Sequence, residues 1–136
     1  MTHQSYFIWQ DRYSVGHAAL DAEHQCMFTL LNNLYTAFQN GQTREALAVM
    51  FREAARYAET HFVTEELVLE QAGYPHLAVH QAKHRAYEAE IEVMRQRFDH
   101  DGEQDAAALF LFLKDWWLNH ILLEDLEYAP FLAAHA

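Results

Sequence analysis

Histidine dominates the chemistry open to this chain: ten stand among 136 residues, against nine lysines and arginines together. Imidazole ligates metals and carries protons near neutral pH, so their placement decides what they can do. His24 lies three residues before Met27 and seven before Leu31, on one helical face. His61 continues the stripe Leu47, Met50, Phe51, Ala54 and Ala58, and Glu65 stands four residues beyond it. His80 and His84 extend the stripe Tyr87, Ile91, Met94 and Phe98 backwards. His120 lies seven residues after Leu113 and four after Trp116. Each apolar face thus turns at least one imidazole toward the common interior.

Taken singly, such a histidine is more often a packed core residue, and a pair such as His80-x-x-x-His84 arises easily by chance in so histidine-rich a chain. Glu65 beside Glu66, and Asp125 beside Glu124, read equally well as solvated acids. The combination is harder to accommodate. Five imidazoles and a carboxylate in one apolar interior would strand polar atoms at roughly 1–3 kcal/mol each. A bound cation removes that penalty, because neutral imidazoles and carboxylates are its ligands.

The spacings suit such an ion. Residues four apart on a helix lie about 6 Å apart along the axis and nearly in line. His80 and His84 can therefore converge on one ion. In His61-x-x-x-Glu65 the imidazole can hold one ion while the carboxylate reaches a neighbouring one. His120 and Asp125 fit less simply: five residues turn an ideal helix about 140° past a shared face. Asp125 therefore requires a bulge or a helix end near residues 121–125.

Four helices must carry these groups. After an aromatic arm (Phe7, Trp9, Tyr13), the first begins between Ala18 and Asp21, with Asp21 as N-cap or first-turn acid. Its apolar positions are Met27, Leu30, Leu31, Leu34, Tyr35 and Phe38, and Asn40-Gly41 stops it. The second opens at Thr43 and ends near Gly73, where Gly73-Tyr74-Pro75 is a turn signal. The third starts after Pro75 and stops at the polar run Asp99 to Gly102. The fourth opens near Glu103 and carries Leu109, Phe110, Leu113, Trp116 and Trp117 to about residue 120. A short apolar tail to Phe131 and Leu132, broken at Pro130, follows. Short connections between long helices imply an all-α, antiparallel up-down-up-down four-helix bundle, a single domain over residues 1–136.

Composition narrows the partners. Twenty acids against nine basic residues leave a formal charge of −11, a poor match for nucleic acid or an anionic membrane. No apolar run approaches the roughly 20 residues of a membrane span, and the N-terminus does not read as a signal peptide. One cysteine, Cys26, makes no internal disulfide and reads as a small filler, so a reduced, cytoplasmic setting is expected. The absence of C-x-x-C-H and H-E-x-x-H motifs excludes a c-type haem and a zincin site. His76 reads as exposed, and His3, His17, His100 and His135 as peripheral.

Together these residues resemble the hemerythrin family, in particular its single-domain bacterial form. The resemblance rests on Asp21-Ala22-Glu23-His24, His61-x-x-x-Glu65, the Gly73-Tyr74-Pro75 turn, His80-x-x-x-His84, and Trp116 ahead of His120 and Asp125. The arm from Trp9 to Gly16 matches as well. The resemblance implies a non-haem di-iron centre. One iron would be bound by His80, His84 and His120, the other by His24 and His61. Glu65 and Asp125 would bridge them, with a bridging oxo or hydroxo group. One iron is then left with an open position for a small ligand. The implied activity is reversible dioxygen binding for storage, delivery or scavenging, with no enzymatic turnover. The alternatives are an oxygen or redox sensor acting on a protein partner in trans, and a di-iron enzyme handling nitric oxide or peroxide. Leu31, Phe62, Trp116 and Trp117 are the expected lining of the oxygen pocket. The family often has leucine three residues before the last histidine, where this chain has Trp117. Two readings of it stand: narrowing of the pocket together with Trp116, or packing against the first helix.

Overall fold

The computed structural model describes residues 7–101 and 106–134, and their regular structure is entirely helical. A 3-10 turn at Asp11–Tyr13 precedes α1 (Ala18–Gln39), α2 (Arg44–Ala72), α3 (Leu77–Asp101) and α4 (Ala106–Asn119). α1 packs on α2, α2 on α3, α3 on α4, and α4 returns to α1. That closed ring is the four-helix bundle expected from long helices and short turns. The expected start of the fourth helix at Glu103, together with His3 and His135, lies outside the described residues.

Local chemistry sets the helix ends. Thr43 caps α2, its hydroxyl accepting from the Ala46 amide at 3.2 Å. Gly73 ends it in the left-handed region at φ 75°, where a side chain would be strained. The Gly73 amide bonds the Glu70 carbonyl and the Tyr74 amide the Leu69 carbonyl, both at 3.0 Å, the Schellman pairing. At α1 the second of the two readings of Asp21 holds: it is a first-turn acid, and the N-cap is His17, whose Nδ1 accepts from the Leu20 amide at 3.3 Å. Asp21 instead secures the arm, accepting from the Ser14 hydroxyl at 2.5 Å and the Val15 amide at 2.9 Å. Further along the arm, Asn32 grips the Phe7 backbone on both sides, at 2.7 and 2.8 Å. Phe7, Trp9 and Tyr13 then pack around Phe28.

The C-terminal segment departs from the expected tail. After Asn119 the chain enters a π-helical stretch, His120–Asp125, and resumes as α5 (Leu126–Ala134). Pro130 lies inside α5 and does not break it. The carbonyl its ring would crowd belongs to Leu126, the residue at which hydrogen-bond register changes from i+5 to i+4. Two smaller corrections concern α1. Phe38 is exposed despite its place in the apolar spacing, and Cys26 is exposed, not a filler.

Buried apolar side chains form two separate clusters. The larger includes Met27, Leu31, Phe51, Phe62, Ile91, Phe98, Trp116 and Trp117. The smaller holds Val15, Leu20, Leu69, Tyr128 and Leu132. On α1, His24 stands between Leu20 of one cluster and Met27 of the other; on α2, His61 and Glu65 stand between Ala58 and Leu69. The buried polar residues thus occupy a layer between two apolar blocks.

Candidate metal centre

That layer consists of His24, His61, Glu65, His80, His84, His120 and Asp125, all at most 5% exposed. The π-helical stretch brings Asp125 in. Bonding from i to i+5 stacks residues five apart along the axis, so Asp125 shares a face with His120 where a regular helix would turn it aside. The sequence reading required an irregularity at 121–125, and the structure has one at His120–Asp125.

The side chains form two overlapping groups whose donor atoms could each surround one ion: Glu65, His80, His84 and His120, and His24, His61, Glu65 and Asp125. Glu65 reaches both. Its Oε1 lies 3.0 Å from His84 Nε2, in close contact with His80 Nε2 and 3.6 Å from His120 Nε2. Its Oε2 lies 3.1 Å from His61 Nε2 and 3.6 Å from His24 Nε2. Asp125 also touches both groups, with Oδ2 3.0 Å from His24 Nε2 and 3.1 Å from His120 Nε2, and Oδ1 3.3 Å from His80 Nε2.

Several of these contacts are not hydrogen bonds, yet their spacings suit ligands of a shared ion. His84 Nε2, His120 Nε2 and both Asp125 oxygens have no hydrogen-bond partner, although His120 and Asp125 approach to 3.1 Å. The Nε2 atoms of His24 and His61 face each other at 3.0 Å. Neighbouring ligand atoms on metal bonds of about 2.1 Å at right angles are about 3 Å apart. Lone pairs converging on shared points satisfy atoms that cannot satisfy one another, so the donor set fits a pair of cations.

Around the layer, acids approach the far ring nitrogens of three of the five imidazoles, while His24 Nδ1 has no partner. His61 Nδ1 meets Glu23 Oε1 at 2.7 Å and His84 Nδ1 meets Glu66 Oε2 at 2.8 Å. His120 Nδ1 lies 3.4 Å from Glu124 Oε2, and Glu124 also accepts from the Tyr87 hydroxyl at 2.8 Å. A carboxylate on Nδ1 leaves the Nε2 lone pair turned inward and raises its basicity. Tyr128 donates its hydroxyl to Glu65 Oε2 at 3.0 Å. The sequence reading missed these four residues. Glu66 and Glu124 were read only as acidic neighbours of Glu65 and Asp125, and Tyr128 fell in the stretch read as a tail. Glu23, Glu66 and Glu124 each stand beside a residue of the layer, and Glu124 also stands four residues after His120.

Charge in the layer is strongly coupled. Burial disfavours the imidazolium forms, but Asp125 and Glu65 outweigh it, raising His24 and His80 to about 9 and His120 to about 10. Burial likewise opposes ionisation of Glu65 and Asp125, and the surrounding imidazoles still hold both carboxyls well below the usual range. Burial and the two nearby carboxylates push the Tyr128 hydroxyl well up, so it remains a donor. The carboxylates demand positive charge beside them, supplied by protons or by metal.

Three of the expected lining residues touch the layer. Phe62 stacks on His84 with ring centroids 3.9 Å apart, and Trp116 stacks on His120 at 5.5 Å. Trp117 packs near His24, His61 and His120 at 5.7, 5.5 and 5.6 Å. Leu31 stands two helical turns along α1 from His24, in the larger apolar cluster. His76 is exposed, as expected.

A four-helix bundle with a buried histidine–carboxylate layer defines a class of metal-binding protein. The sequence model described as "Hemerythrin HHE cation binding domain" matches residues 15–132, and the chain belongs to the hemerythrin family. It is 34% identical over 128 residues to a bacteriohemerythrin of Stenotrophomonas maltophilia, covering 94% of this chain and 82% of that one. It is 27% identical over 122 residues to a myohemerythrin of Riftia pachyptila, covering 90% of each. A crystal structure of a hemerythrin point mutant shares the fold, with a TM-score of 0.81 at 22% identity over 96% of this chain and 99% of the other. Among the described residues, no helix is long and apolar enough to cross a membrane.

Proposed function

We propose that residues 1–136 act as one domain that binds dioxygen reversibly at a non-haem di-iron centre, for storage, delivery or scavenging and without turnover. In this reading His80, His84 and His120 would hold one iron, His24 and His61 the other, and Glu65 and Asp125 would be shared between them. The carrying observation is the buried layer itself, whose donor atoms gather in two overlapping groups and in which His84 Nε2, His120 Nε2 and both Asp125 oxygens have no hydrogen-bond partner.

Such a pair of ions, when bound, would supply the electrons for reversible binding of dioxygen. The residues of the chain do the rest. Glu65 and Asp125 offset the charge of the ions in a region that water does not reach. Glu23 and Glu66 keep the His61 and His84 rings oriented by accepting from Nδ1. Phe62, Trp116 and Trp117 wall the layer with rings and exclude water, which slows irreversible oxidation.

Iron analysis and anaerobic titration with dioxygen test this. Two iron ions per chain are expected, with a visible absorption band that grows as dioxygen is added to the reduced protein and fades when it is removed. Well under two iron ions per chain overturns the di-iron assignment. Direct conversion to the oxidised protein without a reversible band overturns the carrier reading. Sustained consumption of nitric oxide or peroxide would make the protein an enzyme.

A further inference from the structure

Trp117 carries a buried donor with nothing to receive it. Its side chain is fully buried, and its Nε1–H has no hydrogen-bond partner. An indole nitrogen can only donate, and protein interiors seldom leave such a group unmatched. The surroundings suggest what is missing. The layer is uneven: three imidazoles, His80, His84 and His120, gather on one side, and only two, His24 and His61, on the other. With Glu65 and Asp125 near imidazoles of both sides, the His24–His61 side has one imidazole fewer than the other. Trp117 lies 5.7 and 5.5 Å from the two imidazoles of that side, its ring steeply inclined to both at 80° and 69°, and 5.6 Å from His120 at 40°. Trp116 also has an unpartnered Nε1, but its ring lies nearly flat on His120, on the three-imidazole side, at an angle of 23°.

We propose that Trp117 Nε1–H is the hydrogen-bond donor to a small exogenous ligand held at the His24–His61 side of the centre. The ligand class is two or three atoms long with an outer atom that accepts a hydrogen bond. The inference rests on the di-iron reading and adds selectivity to it. An aliphatic wall would only exclude water, whereas an N–H favours ligands whose outer atom bears negative charge over apolar ligands of equal size.

Azide binding to the oxidised, iron-loaded protein tests this, because azide is small and anionic and carries an acceptor at each end. Trp117→Phe removes the N–H. Replacing Trp117 by benzothienylalanine puts sulfur in place of the N–H and keeps the volume, which guards against a packing defect. Trp9→Phe, in the arm, is the control. Both changes at Trp117 are expected to keep two iron ions per chain and to weaken azide binding about tenfold to a hundredfold, while Trp9→Phe leaves it unchanged. In ultraviolet resonance Raman, the indole band that reports N–H hydrogen bonding should shift with azide in the parent and the Trp9 variant only. Full iron with unchanged azide affinity in the benzothienylalanine protein overturns the donor role and leaves Trp117 as a wall. Parent protein holding well under two iron ions overturns the di-iron reading, and this inference with it.

Discussion

At the scale of single residues, the layer is organised in two shells that answer differently to mutation. His80 faces Glu65 and Asp125 directly. His80→Ala is expected to lower iron content and the Tm of the loaded protein together, read by metal analysis and thermal melts. Unchanged iron would remove His80 from the ligands. Glu66 touches no other carboxylate of the layer and acts through His84 Nδ1, while also pairing with Arg85 at 2.6 Å. Glu66→Gln is expected to weaken metal binding about 10- to 100-fold with helix content intact. An unchanged titration would show that the His84 ring is held by packing on Phe62 alone. The difference in legibility follows the same division. The five imidazoles were readable because each continues an apolar stripe on its own helix. Glu23 and Glu66 were not, because an acid beside a ligand points about 100° away from it on the helix; Glu124, four residues after His120, carried a spacing signal that went unused. Glu23 of α1 and Glu66 of α2 reach a histidine on the neighbouring helix, which is tertiary information.

At the scale of elements, the π-helical stretch is the device that reconciles spacing with geometry. Five residues separate His120 from Asp125, as against four for His61 and Glu65. Deleting Leu123, which is 63% exposed, makes the separation four, which an ordinary α-helix also puts on one face. Iron content near that of the parent is therefore expected. Inserting an alanine after Leu123 makes it six, about 240° around a regular helix, and iron should fall to one per chain or less. Iron loss on deletion would show that the widened turn sets the depth of Asp125 as well as its direction. Helix ends marked by ordinary cap chemistry, at Thr43, Gly41 and Gly73, were legible. His17 was not, because histidine is outside the usual capping set. Nor was α5, because Pro130 ordinarily ends a helix, and a change of hydrogen-bond register cannot be seen in residue types.

Over the whole molecule, the metal-free layer and the loaded layer should respond to pH with opposite signs. His24, His80 and His120 titrate near 6.5 in an unfolded chain and are raised to about 9, 9 and 10 when folded. The stabilisation from these protonated rings is complete below about 6.5 and is lost as pH rises through 9 to 10. The Tm of metal-free protein should therefore fall across that interval. Metal binding requires the same rings without their protons, so affinity should climb across it. Thermal melts with and without divalent metal should show a larger metal-induced rise at pH 9 than at pH 6.5. A metal-free Tm that increases with pH would overturn this account. The two apolar blocks on either side of the layer carry a further consequence. α1, α2, α3 and the π-helical stretch after α4 all pass through the layer, yet the blocks make separate clusters. Ions there join them as a rivet joins two plates, and the size of the cooperative unfolding unit should follow the iron content. In calorimetry the loaded protein should melt in a sharper, more cooperative transition than the stripped protein.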